Sequence, residues 1–253
     1  MRFHNKVVII TGASDGIGKA TALQMAHEGA KLILNARRPE LLEATAQEVA
    51  LQGKVPITVP GDICEQATIE ALVEQAIQQH GHLDILINNA GGSTPVRDLE
   101  SITPEEWHKT LDSNLSSMFF CCQKAASVMK PQVYGRIVNL TSLAGRSRTI
   151  VAGPQYTASK AGVIGLTRHL AGILGPFNIT VNSVAPGVTL TGRVQKRWES
   201  LSLAEQQEVL SAIPLRRLGK TGDVVPAITF LASDEAAYIT GAVLDVNGGR
   251  LMC

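Results

Sequence analysis

Tyr156 and Lys160 stand four positions apart, in the order Y-T-A-S-K, so a phenol and an amine would share one face of a helix. Reduction of a carbonyl creates an alkoxide that needs a proton, and a phenol can supply it. Because a free phenol has a pKa near 10, nearby positive charge is needed before it can also accept a proton. Taken singly, Tyr156 could equally be a packing tyrosine and Lys160 a solvated lysine.

A glycine-rich turn lies far upstream, directly after the apolar run Val7–Ile10. It reads T-G-A-S-D-G-I-G over residues 11–18. Its three glycines would let the backbone approach a pyrophosphate, and the helix that follows would point its amide-rich N-terminus at that charge. A plain strand-turn-helix connection that happens to be rich in glycine is the alternative for this loop by itself.

Short β-rich runs alternate with longer helical patterns along the whole chain. The predicted strands are Val7–Thr11, Lys31–Asn35, Pro56–Val59, Ile85–Asn88, Gly135–Leu140, Thr180–Val184 and Ala242–Val246. Several are apolar on both faces, as parallel strands covered by helices on each side are. The pattern predicts an α/β fold: one Rossmann-type domain over residues 1–253, with a doubly wound parallel sheet of about seven strands. The longer, more polar and irregular segment 189–213 follows a strand's carboxyl end, so we expect a substrate lid there.

Composition argues against several classes of function. With a net charge of +1 and 4% aromatic residues, the chain offers little electrostatic or stacking surface for nucleic acid. Its apolar runs are too short to span a bilayer, and the N-terminus leaves no room for a signal peptide. The four cysteines form no C-x-x-C or zinc spacing, so we expect no metal and a reducing, cytoplasmic location. Cys121 and Cys122 are expected to be buried, and Cys253 is the last residue.

The spacing of the glycine loop, T-G-x-x-x-G-x-G, resembles that of the short-chain dehydrogenase/reductase family. Further markers in the family's order cover nearly the whole chain: Asp62-Ile63, Asn88-Asn89-Ala90-Gly91, Asn114, Ser142, Tyr156 with Lys160, Pro186-Gly187 and Gly248-Gly249. The pattern is most similar to that of 3-oxoacyl-acyl carrier protein reductases. The resemblance implies a nicotinamide-dependent oxidoreductase that acts on a small-molecule carbonyl or secondary alcohol.

The resemblance also implies residue roles. Tyr156 would be the general acid and base, Lys160 would supply positive charge and hold the nicotinamide ribose, and Ser142 would orient the substrate oxygen. Asn114 would bend its helix and hold a water of a proton relay. Cofactor contacts are implied for Gly12, Ser14, Asp15, Gly16, Ile17, Gly18, Arg37, Arg38, Asp62, Ile63, Asn89, Ala90, Gly91, Tyr156, Lys160, Pro186, Gly187, Thr189 and Thr191. Ser142 could instead merely cap a strand end, and Asn114 could be a polar surface residue.

The end of the second predicted strand favours NADP(H) over NAD(H). Ala36 occupies the place where NAD sites normally carry an acidic residue, and Arg37 and Arg38 follow it. A guanidinium can pair bidentately with a ribose phosphate. Asp15 opposes this preference because its charge could repel the phosphate, and a solvated loop pair is the alternative for the two arginines.

Other functions and the substrate stay open at this level. A dinucleotide-binding regulator without catalysis, an acyl carrier protein-linked 3-oxoacyl reductase and a sugar-nucleotide epimerase are the alternatives. The substrate pocket is expected from Gly92–Val96, Leu143–Pro154 and the lid, where Arg146 and Arg148 could meet an anionic substrate. The family's carrier-docking positions near the entrance correspond to Val133 and Phe177, neither of which is basic, although Lys130 and Arg136 are close by.

A homotetramer is expected from the family. The helices that would pair are those over residues 103–130 and 155–174. The second carries Ile164, Leu166, Leu170 and Ile173 over more than one face, which is more apolar than a free surface helix should be.

Overall fold

A seven-stranded parallel sheet forms the centre of the computed structural model, which describes residues 1–93, 98–148 and 152–252 without the side chains of residues 193 and 197. Its strands are β1 (Val7–Thr11), β2 (Lys31–Ala36), β3 (Ile57–Pro60), β4 (Ile85–Asn88), β5 (Gly135–Leu140), β6 (Ile179–Pro186) and β9 (Val243–Val246). Their spatial order is β3-β2-β1-β4-β5-β6-β9. A separate two-stranded pair joins β7 (Thr189–Leu190) and β8 (Gly219–Lys220).

Helices cover both faces of the sheet. They are α1 (Gly16–His27), α2 (Pro39–Ala50), α3 (Gln66–His80), α4 (Pro104–Leu111), α5 (Ser117–Gln132), α6 (Pro154–Leu174), α7 (Gly192–Glu199), α8 (Leu203–Ser211) and α9 (Thr221–Leu231). Alternate residues of β1 face opposite sides: Val8 and Ile10 join a core layer with α1, α2 and α9, whereas Val7 and Ile9 join one with α3, α5 and α6. Both layers are apolar, as the two-sided strand pattern predicted.

The sheet order places the switch point between β1 and β4. The chain builds outward from β1 through β2 to β3, then returns to the other side of β1 and builds outward again from β4. The loops after β1 and β4 therefore diverge and leave a crevice at the carboxyl ends of the strands, where ligands bind in such folds. The predicted doubly wound parallel sheet is confirmed.

The structure moves several predicted boundaries. β2 extends one residue further, β3 lies one residue later, β6 is longer at both ends and β9 begins one residue later than predicted. The segment 189–213 is less irregular than expected, because it contains the strand β7 and the helices α7 and α8. A capping box at Ser202 and Glu205 begins α8. Residues 94–96 and 149–151 of the expected pocket loops, and Cys253, lie outside the described residues.

None of the described helices combines the length and the apolar character that crossing a bilayer requires. Cys121 and Cys122 are buried, as predicted, at 4% and 1% exposure.

Candidate active site

The glycine loop has the geometry that close approach to an anion requires. Gly12 and Gly16 adopt positive φ angles of 67° and 57°, which side chains disfavour. A Cβ atom at Gly18 would lie 2.3 Å from the carbonyl oxygen of Gly12, so only glycine fits there. The carboxylate of Asp15 accepts a hydrogen bond of 2.7 Å from the Gly16 N–H and caps α1. The loop therefore exposes backbone rather than side chains at the N-terminus of α1.

Hydrogen bonds between the loops after β1 and β4 hold the two sides of the crevice in register. The Asn89 side-chain amide donates to the carbonyl oxygens of Thr11 and Gly12, each at 3.0 Å. In return, the Thr11 hydroxyl accepts from the backbone N–H groups of Asn89 and Ala90, also at 3.0 Å. Asn89 thus braces the glycine loop, a role that the sequence alone did not indicate, and Thr11 is a partner that the sequence prediction missed.

Lys160 is the most deeply buried charged group of the site, with 3% exposure. Its Nζ atom donates a hydrogen bond of 2.6 Å to the carbonyl oxygen of Leu140, the last residue of β5. Burial lowers the pKa of this amine to about 8, because water no longer solvates the charged form. The Thr141 hydroxyl donates to the Lys160 carbonyl oxygen at 2.7 Å and ties the end of β5 to α6.

Tyr156 and Ser142 flank this amine and line the same cleft. Tyr156 lies one turn before Lys160 on α6, and the Lys160 Nζ atom is 5.9 Å from the centre of its ring. Ser142 follows β5, where its Oγ atom accepts a hydrogen bond of 3.1 Å from the Ala144 N–H. Gly145 lets this loop rest on α6, since a Cβ there would lie 2.5 Å from the backbone of Lys160. The three predicted residues Ser142, Tyr156 and Lys160 therefore line one cleft.

Asn114 occupies a π-helical turn, Asp112–Ser116, between α4 and α5. Single π turns often mark functional sites. The side chain is fully buried, accepts from the Gly92 N–H at 3.0 Å and donates to the carbonyl oxygens of Thr110 and Gly92 at 2.9 and 3.2 Å. Gly91 lies between Asn114 and Lys160: its Cβ would be 2.5 Å from the Asn114 Oδ1 atom and 3.6 Å from the Lys160 Nζ atom. Asn114 is therefore a buried clamp on the loop after β4 and not a surface residue.

One cleft of about 1950 Å³ joins the glycine loop to the Ser142–Tyr156 pair. Most of the predicted cofactor contacts line it: Gly12, Ser14, Asp15, Gly16, Ile17, Arg37, Arg38, Asp62, Ile63, Asn89, Ala90, Gly91, Pro186, Gly187, Thr189 and Thr191, with Tyr156 and Lys160. Gly18 lies just behind the loop, and Asn114 acts through Gly91 and Gly92. The structure thus brings the predicted residues together at the carboxyl edge of the sheet.

The segment 189–213 and the C-terminal turn also contribute to the cleft. Val194, Trp198, Leu201, Val209 and Arg250 line it from these segments. The segment begins close to the glycine loop, since a Cβ at Gly16 would lie 2.9 Å from the Thr191 Cγ2 atom. None of these five residues belongs to a recognisable motif.

The two arginines that the sequence offered for an anionic substrate separate in the structure. Arg146 forms an ion pair with Asp245 at 3.3 Å and does not line the cleft, whereas Arg148 does. Only Arg148 therefore keeps the position that the prediction gave to both.

The residues present fit a nicotinamide dinucleotide. The glycine loop lines the cleft directly before the N-terminus of α1, where the helix favours an anion such as a pyrophosphate. Within the described residues, no group of three or more histidine, cysteine, aspartate or glutamate side chains could hold a metal ion.

Comparison with known proteins decides the family. Residues 12–250 match the family model described as enoyl-(acyl carrier protein) reductase. Over 251 residues the chain is 39% identical to the 3-oxoacyl-[acyl-carrier-protein] reductase FabG of Staphylococcus aureus, with 98% of each sequence covered. The chain belongs to the short-chain dehydrogenase/reductase family. It is an oxidoreductase of the NAD(P)-dependent type, as the resemblance implied.

Other members of the short-chain dehydrogenase/reductase family are similar over the same length. The chain is 38% identical over 253 residues to the (2S)-[(R)-hydroxy(phenyl)methyl]succinyl-CoA dehydrogenase subunit BbsD of Thauera aromatica, covering 99% of this chain and 98% of the relative. Among solved structures, levodione reductase superposes with a TM-score of 0.93 at 34% identity, with 98% of each chain covered. Full-length similarity to proteins with differently named substrates leaves the substrate to be decided by the residues of the cleft.

Proposed function

We propose that this enzyme transfers a hydride between NADP(H) and a carbonyl or secondary-alcohol substrate, with Tyr156 as the general acid and base. One observation carries the proposal: Tyr156, Ser142 and the buried Lys160 line the same cleft as the glycine loop at the N-terminus of α1. A regulator without catalysis would not need this set, and a buried lysine beside the tyrosine would only reduce its stability.

The chemistry divides between the cofactor and the chain. When bound, the reduced nicotinamide supplies the hydride. The Ser142 hydroxyl orients the substrate oxygen, and the Tyr156 hydroxyl gives that oxygen its proton. Lys160 stabilises the resulting phenolate, because its charge acts at short range in a site with little water. At neutral pH, which is below this pKa of about 8, most Lys160 side chains are still protonated.

Asn114 has a supporting role in this proposal. Its clamp on Gly92 fixes the loop whose neighbouring residue, Gly91, lies against the Lys160 amine. We assign to Asn114 the positioning of that loop and of the water through which Lys160 exchanges protons with solvent.

Replacement of Tyr156 by Phe tests the acid-base role. The ring and its packing are kept while the hydroxyl is lost, so cofactor binding should survive and kcat should fall at least about a hundredfold. Tyr238→Phe is the matched control, because the Tyr238 side chain is fully exposed. Steady-state rates with a panel of ketones, aldehydes, sugars and acyl thioesters, together with fluorescence titration of NADPH, provide the readouts. Turnover of Tyr156→Phe within a few-fold of the parent enzyme would remove the residue from the mechanism.

The preference for NADP(H) rests on Arg37 and Arg38, which follow β2 and line the cleft. The Arg37 side chain is 73% exposed, and its Nη1 atom is 3.9 Å from the Asp62 Oδ2 atom, a long and weak pair. Its guanidinium is therefore available to a ribose phosphate. The Asp15 carboxylate, which opposed this preference, is engaged with the Gly16 N–H.

Arg37→Ala should weaken NADPH much more than NADH, because a charge-assisted pair to the 2′-phosphate is lost. Dissociation constants for both cofactors, measured by calorimetry on the same preparation, make NADH the internal control. Equal losses of affinity for the two cofactors, or tighter binding of NADH by the unaltered enzyme, would show that Arg37 does not select the cofactor.

We propose a free small molecule as the substrate instead of an acyl group on carrier protein. Val133 and Phe177 are not basic, and neighbouring Arg136 cannot substitute, since it is 2% exposed and bonded to Asp234 at 3.0 Å. Lys130 is the other basic neighbour, and its Nζ atom lies 5.1 Å from the centre of the Phe177 ring. Both positions precede β5 and β6, at the amino edge of the parallel sheet, so a docking residue there could serve only the cleft of another copy. A markedly higher kcat/KM for one 3-oxoacyl group on carrier protein than on a short thiol would contradict this proposal.

A homotetramer remains our proposal, on an amended basis. Ile164 and Leu170 are buried within the chain, at 8% and 6% exposure, so they do not form the surface that the sequence suggested. Phe119, Phe120 and Ile173 on α5 and α6 stay exposed, at 36%, 42% and 49%. These apolar side chains support pairing of the two helices with another copy.

Light scattering at micromolar concentration should give four times the mass of the chain. Phe120→Glu should lower that mass by placing a charge in the contact, whereas Glu74→Gln on the exposed face of α3 should leave it unchanged. A monomer with the unaltered sequence would refute the proposal.

We further propose that residues 1–253 act as one dinucleotide-binding domain in the cytoplasm, with residues 189–213 as the lid. The lid helices support this, because α7 and α8 contribute Trp198 and Val209 to the cleft.

A further inference from the structure

Two arginines line the cleft from segments that flank the Ser142–Tyr156 pair. Arg148 lies in the loop after β5, and Arg250 lies in the C-terminal turn after β9. The roles proposed above use neither of them. Both line the cleft that also contains Ser142 and Tyr156.

The loop that precedes Arg148 is anchored to the helix that carries Tyr156. The Ser147 N–H donates to the Leu143 carbonyl oxygen at 3.0 Å, and Gly145 packs on α6.

Positive φ angles and hydrogen bonds also define the conformation of the C-terminal turn. Gly248 and Gly249 have positive φ angles of 67° and 85°, and the Asn247 Oδ1 atom accepts from the N–H groups of Gly249 and Leu251 at 3.0 and 3.4 Å. The Leu215 N–H donates to the Gly248 carbonyl oxygen at 3.1 Å, which docks the turn just beyond α8. Arg250 is thus presented by a fixed turn.

Most arginines with a defined partner pair with a carboxylate, and these two do not. Ion pairs join Arg2 to Glu28, Arg136 to Asp234, Arg146 to Asp245 and Arg217 to Asp223. Within residues 1–93, 98–148 and 152–252, no carboxylate lies within ion-pair distance of Arg148 or Arg250. Both arginines line the cleft, and no carboxylate of the described residues neutralises their charges.

The charged residues that line the cleft carry both signs. The acidic ones, Asp15, Asp62, Glu105 and Asp112, come from the glycine loop, the end of β3 and the segment from α4 into the π turn, and this last segment also contributes Lys109. Among the described residues, the loop after β5, the lid and the C-terminal turn contribute only basic ones: Arg148, Lys196 and Arg250. Apolar side chains such as Leu143, Val188 and Trp198 line the same cleft.

We propose that Arg148 and Arg250 bind an anionic group of the substrate, a carboxylate or a phosphate, remote from the carbonyl that meets Tyr156. A guanidinium binds such oxyanions through paired, charge-assisted hydrogen bonds. The substrate class is an oxo or hydroxy compound with a short apolar segment and an anionic end. This inference rests on the proposed function, from which it takes the position of the carbonyl.

The test uses methyl-ketone acids from 3-oxobutanoate to 6-oxoheptanoate, each beside its methyl ester, which keeps the ketone and removes the charge. Affinities are measured by calorimetry with the enzyme saturated with NADP⁺, a dead-end complex that needs no turnover. kcat/KM is then measured with NADPH. For at least one chain length, the acid should exceed its ester at least about tenfold in both quantities, the scale of one charged hydrogen bond.

Arg148→Gln and Arg250→Gln should each remove most of the preference for the acid while leaving the ester unaffected. Arg146→Gln is the matched control, because it removes a nearby positive charge that pairs with Asp245 outside the cleft. A preference that persists in both test variants, or that disappears equally in Arg146→Gln, overturns the proposal. So does equal binding of acid and ester at every length.

Further results distinguish a carboxylate from a phosphate as the anion, and the proposed anion site from the proposed reaction. If the two arginine variants bind 3-oxobutanoyl-CoA more weakly, but bind the same acyl group on a short thiol and the free acids as well as the parent enzyme does, the group bound is a phosphate. If no ketone is reduced but acids still bind through the two arginines, the proposed reaction fails and the anion site stands. If ketones are reduced without regard to charge, the reaction stands and the anion site fails.

Discussion

The burial of one amine constrains much of this site. A lysine ammonium taken out of water costs several kcal/mol unless it is compensated, and the Lys160 Nζ atom has the Leu140 carbonyl oxygen at 2.6 Å. That contact exists because β5 ends beside the second turn of α6. It also requires glycine at positions 91 and 145, where side chains would collide with Asn114 and with the Lys160 backbone. The position of the Lys160 amine therefore depends on the end of β5 and on the glycines at positions 91 and 145 together.

A few side chains likewise fix the loops on both sides of the switch point of the sheet. The glycine loop after β1 has too little side chain to hold its own shape, so Asn89 and Thr11 hold it through bonds between loops. Asn114 does the same for Gly92 from a π turn. Side-chain amide and hydroxyl groups thus fix the backbone of the loops after β1 and β4 where these loops line the cleft.

The sequence was sufficient for the sheet, because strands with two apolar faces have few structural solutions, and the predicted site residues line one cleft in the structure. It was insufficient where tertiary packing decides. The apolar residues Ile164 and Leu170 suggested an exposed face of α6 but are covered by the chain itself. Arg146 and Arg148 are equivalent in sequence, and only the position of Asp245 separates them. The helices α7 and α8 could not be recognised because their polar composition carries little periodic signal, and Arg250 belongs to no motif.

The central claim is that Lys160 is a desolvated cation poised beside Tyr156. Its most direct test is an NMR pH titration of the enzyme with labelled lysine side chains, with the Lys160 resonance assigned by its loss in Lys160→Met. Burial predicts a midpoint of about 8, well below the ordinary value of 10.5. A midpoint near 10.5 would show that the amine is solvated, and the account of the site would then be wrong.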